Sequence, residues 1–231
     1  MIDTGEQENV VVKYLLDRKI AKIDYLMLSH FDSDHSKNAS EIIEKLQVKN
    51  LVISKQAMSS QEFEKAIRMA QAQKVNIIVV KAGDLIYIDK HTKIKILWPT
   101  DTFIKENALN NNSILAKLEY KNFSMLFTGD IEAIAENKIV SKYNNNELKA
   151  TVLKVAHHGS KTSSTQEFIS KVTPKISLIG VGKNNKFGHP NDETVKVLET
   201  YGSIVYRTDL SGEITLKVRN DNKIQVKTKI K

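Results

Sequence analysis

Two imidazoles and two carboxylates crowd the stretch Ser29-His30-Phe31-Asp32-Ser33-Asp34-His35. Packed together, these groups would repel, compete for protons and demand desolvation, unless a divalent cation neutralises the carboxylates and takes the imidazole lone pairs. In an extended loop His30, Asp32 and Asp34 point the same way, and a turn at His35 brings a fourth ligand beside them. Capping the next helix would need one such residue, not four. Further along, Gly129-Asp130 follows the apolar run Met125-Leu126-Phe127. A carboxylate at the exit of a buried strand, beside a glycine that permits close backbone approach, suits a ligand bridging two metals. The run His157-His158-Gly159-Ser160 offers one imidazole as ligand and another for proton transfer, and His157, the first residue past its strand, is the expected ligand. Gly188-His189-Pro190 is either a loop histidine or a substrate contact, and His91, between Lys90 and Lys93, is surface. Asp3-Thr4-Gly5 invites comparison with aspartic proteases, but that chemistry needs a second Asp-Thr-Gly and the chain has none.

The elements that must carry these groups alternate. Helical spacing predicts helices over 10–17, after Ser36 and Asn38 with Ile42, Ile43 and Leu46 inward, and over 63–70. Short apolar runs predict strands at 24–28, 51–54 and 76–80, so His30 arrives at the end of a strand and the start of a helix, where layered α/β proteins bind ligands. From 84 to 98 the period shortens to that of an antiparallel pair around Lys90-His91, followed by a polar loop over 99–112 and a hairpin around Lys121-Asn122. The second half repeats the alternation: a helix over 131–143, a strand over 150–155, a helix capped by Ser163 and Ser164 and stopped by Pro174, and a strand over 176–181. A helix with Val195 and Leu198 and three closing strands near 203–206, 213–218 and 224–229 complete it. The two similar halves predict one four-layer α/β domain over 1–231.

Composition narrows the chemistry. Zero cysteines exclude disulfides and thiolate metal sites, leaving His, Asp, Glu and Asn as ligands. The net charge of +8, from 35 Lys+Arg against 27 Asp+Glu, favours polyanionic partners, although the lysines are spread rather than clustered. No apolar run approaches the roughly 18 residues of a membrane-spanning helix, and no signal peptide is visible. The default expectation is therefore a cytoplasmic protein.

In this order the motifs resemble metallo-β-lactamase-fold hydrolases, and more narrowly the nuclease-like domain at the carboxyl end of ComEC-type competence (DNA-internalisation) proteins. The resemblance rests on I-D-x-G at Asp3, S-H-x-D-x-D-H from Ser29, N-N-x-S at Asn111 and T-G-D at Asp130. It continues with L-K-V-x-H-H-G-S-x-x-S from Leu153, G-H-P at Gly188 and Y-R-T-D-x-x-G at Tyr206. It implies a four-layer αββα sandwich with a dinuclear site. One implied metal takes His30 and Asp32, the other Asp34, His35 and His157 or His158, and Asp130 bridges them. Asp3 and Asn111 support the ligands from behind, and Ser160 and His189 face substrate. Asp32 stands where most of the superfamily has histidine, an oxygen-richer set that favours Mn2+ or Mg2+, with Zn2+ as the alternative.

The implied reaction is phosphodiester hydrolysis, with single-stranded DNA as the expected substrate, by a hydroxide held between the two cations. Asp34 and Asp130 would position it, and His158 or His189 would serve as proton donor. A small phosphodiester of the phosphocholine type is the alternative substrate, and a non-catalytic DNA-binding or channel-associated domain the alternative role. The superfamily normally has a β-hairpin before I-D-x-G, and this chain is expected to lack it. That leaves two expectations: a fragment of a longer protein associated with a membrane DNA channel, in which case the domain is extracytoplasmic, or a start at a misassigned methionine.

Overall fold

A computed structural model describes residues 1–55, 60–219 and 223–230, which group into two compact units: Met1–Lys81 with Pro99–Ile114, and Ala82–Trp98 with Leu115–Lys231. The first unit carries α1 (Val10–Asp17), β1 (Lys22–Met27), α2 (Ser33–Ser36), α3 (Ala39–Lys45), β2 (Gln47–Ser54), α4 (Gln61–Ala72), β3 (Asn76–Val80) and α5 (Ala108–Asn111). Its sheet is parallel in the order β1-β2-β3, with Leu26 opposite Leu51 and Leu51 opposite Ile77. Parallel neighbours need long crossovers, and α3 and α4 supply them. Leu26, Leu28 and Leu51 share one apolar core with Ile42 and Ile43 of α3 and the small Ala66 and Ala70 of α4. Each fully buried leucine or isoleucine there is worth about 1.5–3 kcal/mol. Phe31, from the histidine-rich segment, belongs to the same core and meets Phe63 of α4 edge-on at 4.9 Å, so the loop is pinned between its candidate ligands. At the edge of β1, Ile2 bridges Met27 in parallel and the amino group of Met1 donates to the Tyr25 carbonyl.

The second unit begins with β4 (Leu85–Tyr87), β5 (Thr92–Trp98), β6 (Leu115–Tyr120) and β7 (Phe123–Phe127), followed by α6 (Ala133–Lys142), α7 (Asn145–Leu148) and β8 (Val152–Lys154). A 3₁₀ turn at Ala156–Gly159 leads to α8 (Gln166–Val172), β9 (Ile176–Ile179), α9 (Asp192–Thr200), β10 (Ile204–Arg207) and α10 (Thr208–Ser211), and β11 (Ile214–Val218) and β12 (Ile224–Thr228) form a separate hairpin. The main sheet runs β10-β9-β8-β7-β6-β5-β4. Pairing is antiparallel from β4 to β7 and parallel from β7 to β10. The carboxyl ends of β7, β8 and β9 are therefore neighbours, and Asp130, His157 and Gly180 leave the sheet there.

Several local expectations change. Ser33–Ser36 is helical rather than extended, so Asp34 and His35 sit on one turn and do not follow the strand-like alternation predicted for His30 to Asp34. The polar stretch 99–112 contains α5, and the helix expected over 131–143 is followed by α7, closed by a reciprocal Asn144–Glu147 capping box. Asn38 precedes α3 without capping it, because its amide donates instead to the carbonyls of Thr4, Gly5 and Gln7. Thr165, not Ser163 or Ser164, caps α8, with its hydroxyl accepting from Phe168 N at 3.3 Å. Ser163 Oγ is committed to the Ile131 carbonyl at 2.8 Å.

Candidate metal centre

In the first unit Ser29 leaves β1 and meets Asp3, whose backbone is held at φ 54 by an N–H donated to the Met27 carbonyl. Asp3 Oδ1 accepts from Ser29 N at 2.7 Å, while Oδ2 accepts from Ser29 Oγ at 2.9 Å and from His35 Nδ1 at 2.9 Å. Burial pushes the Asp3 carboxyl up. The His35 hydrogen bond and charge, the Ser29 N–H and the His30 charge outweigh it and hold Asp3 below the usual carboxylate range. This arrangement sets the tautomers. An ionised Asp3 can only accept, so His35 carries its proton on Nδ1. Ser29 Oγ spends its one proton on Asp3, so at 3.0 Å it accepts from His30 Nδ1. Both buried imidazoles then present an Nε2 lone pair, at 3.5 Å from Asp32 Oδ2 and 3.7 Å from Asp34 Oδ2. These separations are long for hydrogen bonds and close to the roughly 3–3.6 Å between two donors that share an ion about 2.1 Å from each.

The Asp3-Thr4-Gly5 run thus supports the loop and is no protease signature. Thr4 N and Oγ1 both donate to the His35 carbonyl, at 2.8 and 3.1 Å, and Thr4 Oγ1 accepts from Asn38 N. Asn111 is buried and donates to the Glu106 carbonyl at 2.9 Å. Its segment reaches Ser29 through Ile114 N, which donates to the Ser29 carbonyl at 2.8 Å.

The second unit uses backbone where the first uses side chains. Gly129, at φ 52, lets the chain turn out of β7, and its carbonyl accepts from His157 N at 3.2 Å. Thr128 Oγ1 donates to the Lys154 carbonyl at 2.6 Å, which locks the exits of β7 and β8 together. His157, His158 and Gly159 are all left-handed, at φ 47, 53 and 82. Such geometry is uncommon for residues with a Cβ and persists where the surroundings enforce it. At Gly159 a side chain has no room, since a Cβ would lie 2.6 Å from that of Pro190.

His158 Nδ1 donates to the Gly180 carbonyl, leaving Nε2 at 3.6 Å from Asp130 Oδ2. His157 Nε2 is 4.0 Å from the same oxygen and its Nδ1 is 3.6 Å from Glu132 Oε1. Of the two histidines, His158 rather than the expected His157 has its tautomer set by a backbone acceptor and its Nε2 nearer the carboxylate. The His189 ring lies edge-on to His157 at 5.7 Å. Burial, and then the facing His157 and His158, hold its imidazole below the ordinary histidine value. Ser160 is buried, with its hydroxyl 3.0 Å from Thr162 Oγ1, so it closes its own loop.

Three contributors escape residue reasoning: the Gly180 carbonyl, Glu132 and the hydroxyl of Ser29. A carbonyl carries no sequence signal, whereas Glu132, two residues after Asp130, and Ser29, before His30, have positions that could have flagged them. The Y-R-T-D motif acts through the first of these. Thr208 Oγ1 accepts from Val181 N at 2.7 Å and donates to the Val181 carbonyl at 2.8 Å, steadying the exit of β9 that holds Gly180, and Arg207 forks onto Asp209 at 3.1 and 2.7 Å.

A model of the metallo-beta-lactamase superfamily matches residues 1–183. The chain belongs to the metallo-β-lactamase superfamily. Its donor set suits the metals of this superfamily, with three imidazoles each presenting Nε2 toward a carboxylate. ComE operon protein 3 of Bacillus subtilis (strain 168) is 35% identical over 213 residues, 92% of this chain and 27% of that protein. Competence protein ComA of Neisseria gonorrhoeae is 27% identical over 93% of this chain and 28% of its own length, so the chain spans about a quarter of these relatives. Among solved structures, the metallo-β-lactamase fold protein YhfI from Bacillus subtilis covers 89% of this chain and 82% of its own at 13% identity and TM-score 0.53. CmlA, a diiron β-hydroxylase from Streptomyces venezuelae, covers 81% of this chain and 44% of its own at 11% identity and TM-score 0.54. The family match and these structural likenesses bear out the metallo-β-lactamase fold that the motifs implied.

Proposed function

We propose that this superfamily member is a metal-dependent phosphodiester hydrolase acting on DNA, with single strands preferred. The observation that carries the reading is the shared state of His30, His35 and His158: each has Nδ1 committed to a fixed acceptor and Nε2 turned to a carboxylate. His30, Asp32, Asp34 and His35 of the first unit, and Asp130 with His158, or alternatively His157, of the second, would hold two divalent ions. Mn2+ or Mg2+ suits this oxygen-rich set better than Zn2+. Bound there, such ions supply Lewis acidity to phosphoryl oxygens and acidify a water.

The chain's own groups do the rest. Asp34 and Asp130 orient the attacking water by accepting hydrogen bonds from it, one of them taking the single proton it loses, and His189, beside His157, donates to a phosphate oxygen or to the leaving group. The net charge of +8 draws the polyanion in. Competence, the process for which the Neisseria gonorrhoeae relative is named, takes up DNA. Association with a membrane DNA channel belongs to the same proposal; among the described residues no helix is long and apolar enough to cross a membrane.

Metal-stripped protein supplied with manganese is expected to cleave labelled single-stranded DNA, with a rate that falls steeply with salt, while hydrolysis of a small chromogenic phosphodiester does not fall with it. Absence of cleavage with manganese, magnesium and zinc alike would refute the reading.

A further inference from the structure

Phe187 is the most exposed large apolar side chain among the described residues, at 82%. Isolated exposed aromatics are ordinary on loose loops, but this loop is braced. Asn185 Oδ1 accepts from Phe187 N at 3.2 Å and from His189 N at 2.9 Å, and its Nδ2 donates to the carbonyls of His189 at 2.7 Å and Gly182 at 3.3 Å. One asparagine thus ties both ends of 182–189 and fixes the backbone on either side of the phenyl ring. The far end of the loop is anchored to the histidine turn, because Pro190 fills the space over Gly159 and Asn191 N donates to the Gly159 carbonyl at 2.9 Å.

The ring is consequently held in water at a set place. It lies nearly parallel to the His189 imidazole, at 20° and 5.8 Å between centroids, and His189 in turn meets His157 at 5.7 Å. A file of rings leads from the Asp130–His157–His158 cluster to solvent and ends on an open aromatic face. The exposed Lys183, Asn184, Lys186 and Gly188 share its loop, so the ring is offered beside cationic side chains that favour an anionic partner.

We propose that Phe187 is a stacking platform for an unpaired nucleobase one or two nucleotides from the scissile phosphodiester, with Lys183 and Lys186 neutralising the phosphates that flank that base. The proposal rests on the phosphodiesterase reading and sharpens its substrate class. A base within a duplex has both faces covered, so a platform of this kind selects single strands, and since every base has a π-face it does so without sequence preference.

The test uses the full chain with manganese and two strands of equal length: oligo-dT, and the same backbone built of tetrahydrofuran abasic residues. Stacking worth 1–3 kcal/mol per base predicts that Phe187→Ala lowers the ratio of kcat/KM for oligo-dT over the abasic strand by about 5- to 150-fold, and that Phe187→Tyr restores it. Binding of both strands to metal-free protein, followed by fluorescence anisotropy, is measured in parallel and needs no catalysis. If neither strand is cleaved with manganese, nor with magnesium or zinc in its place, the phosphodiesterase reading fails, while the platform still stands or falls on whether Phe187→Ala weakens oligo-dT binding alone. In Phe187→Trp the added indole is expected to be quenched by oligo-dT and not by the abasic strand. An unchanged dT-to-abasic ratio in both cleavage and binding, or equal losses on both strands, would overturn the proposal.

Discussion

The segments around His30–His35 and His157–His158 present imidazoles toward carboxylates by opposite means. In the first, side chains fix the rings: Asp3 and Ser29 take the Nδ1 protons of His35 and His30, and the backbone of Ser33–Ser36 is an ordinary helical turn. In the second, backbone does the fixing. Three consecutive left-handed residues aim the rings, and a peptide carbonyl, Gly180, takes the His158 proton. The same chemical end, an Nε2 lone pair facing a carboxylate, is thus open to substitution in one region and largely closed to it in the other. The first region is vulnerable through its side chains and the second through its shape.

If the two regions serve one reaction, removing a carboxylate from either one stops it. Asp130→Ala and Asp34→Ala are each expected to lower manganese-dependent DNA cleavage by roughly a thousandfold or more while DNA binding persists, read by single-turnover assays. Loss with one variant alone would separate the regions. Next in size is Gly159→Ala, which places a Cβ 2.6 Å from that of Pro190 on a backbone at φ 82. A destabilisation of about 3 kcal/mol or more is expected in urea titration, because both overpacking and strain act there.

A third test concerns Glu136, buried on α6, whose two oxygens accept from Ser164 N at 2.6 Å and Thr165 N at 2.7 Å just beyond the histidine turn. Burial, against the pull of the Thr165 and Ser164 N–H groups, pushes its carboxyl from 4.5 up to about 7. The folded chain therefore binds this proton more tightly than the unfolded chain between those values. The stability it contributes is complete below about pH 4.5 and lost as the pH rises through about 7. Glu136→Gln removes that dependence. Relative to wild type, the variant should gain on the order of 3 kcal/mol between pH 4.5 and 7.5, and parallel urea curves across that range would contradict it. The smallest effect falls on the first region: Asp3→Asn should weaken manganese binding about 10- to 100-fold in calorimetric titration, with the fold retained.

Much of the candidate site is legible in the sequence. His30, Asp32, Asp34, His35, Asp130 and the histidine pair announce themselves because few roles other than metal binding tolerate such groups together. Strands and helices are legible where apolar periodicity is strong, as at α4 and β3. The differences are local. Residue spacing puts Asp34 on an extended alternation because nothing in Asp-Ser-Asp-His shows that Ser33 to Ser36 will close a helical turn. Ser163 and Ser164 look like caps because the competing claims of Ile131 and Glu136 on that segment come from residues some 30 positions away.

The sequence by itself determined the chemistry, since residue types decide which cations, protons and phosphates a chain can handle: an oxygen- and imidazole-rich donor set without thiols. Tertiary structure alone decided how each donor is used. Which imidazole nitrogen carries the proton, whether His157 or His158 lies nearer the carboxylate, that Ser160 turns inward and that Phe187 stands out in water all depend on partners distant in the chain. Gly180 lies 22 residues from His158, and Asp3 lies 32 from His35. Hydrogen bonds at about 3 Å discriminate between nitrogens and rotamers, and spacing along a sequence carries no information at that scale.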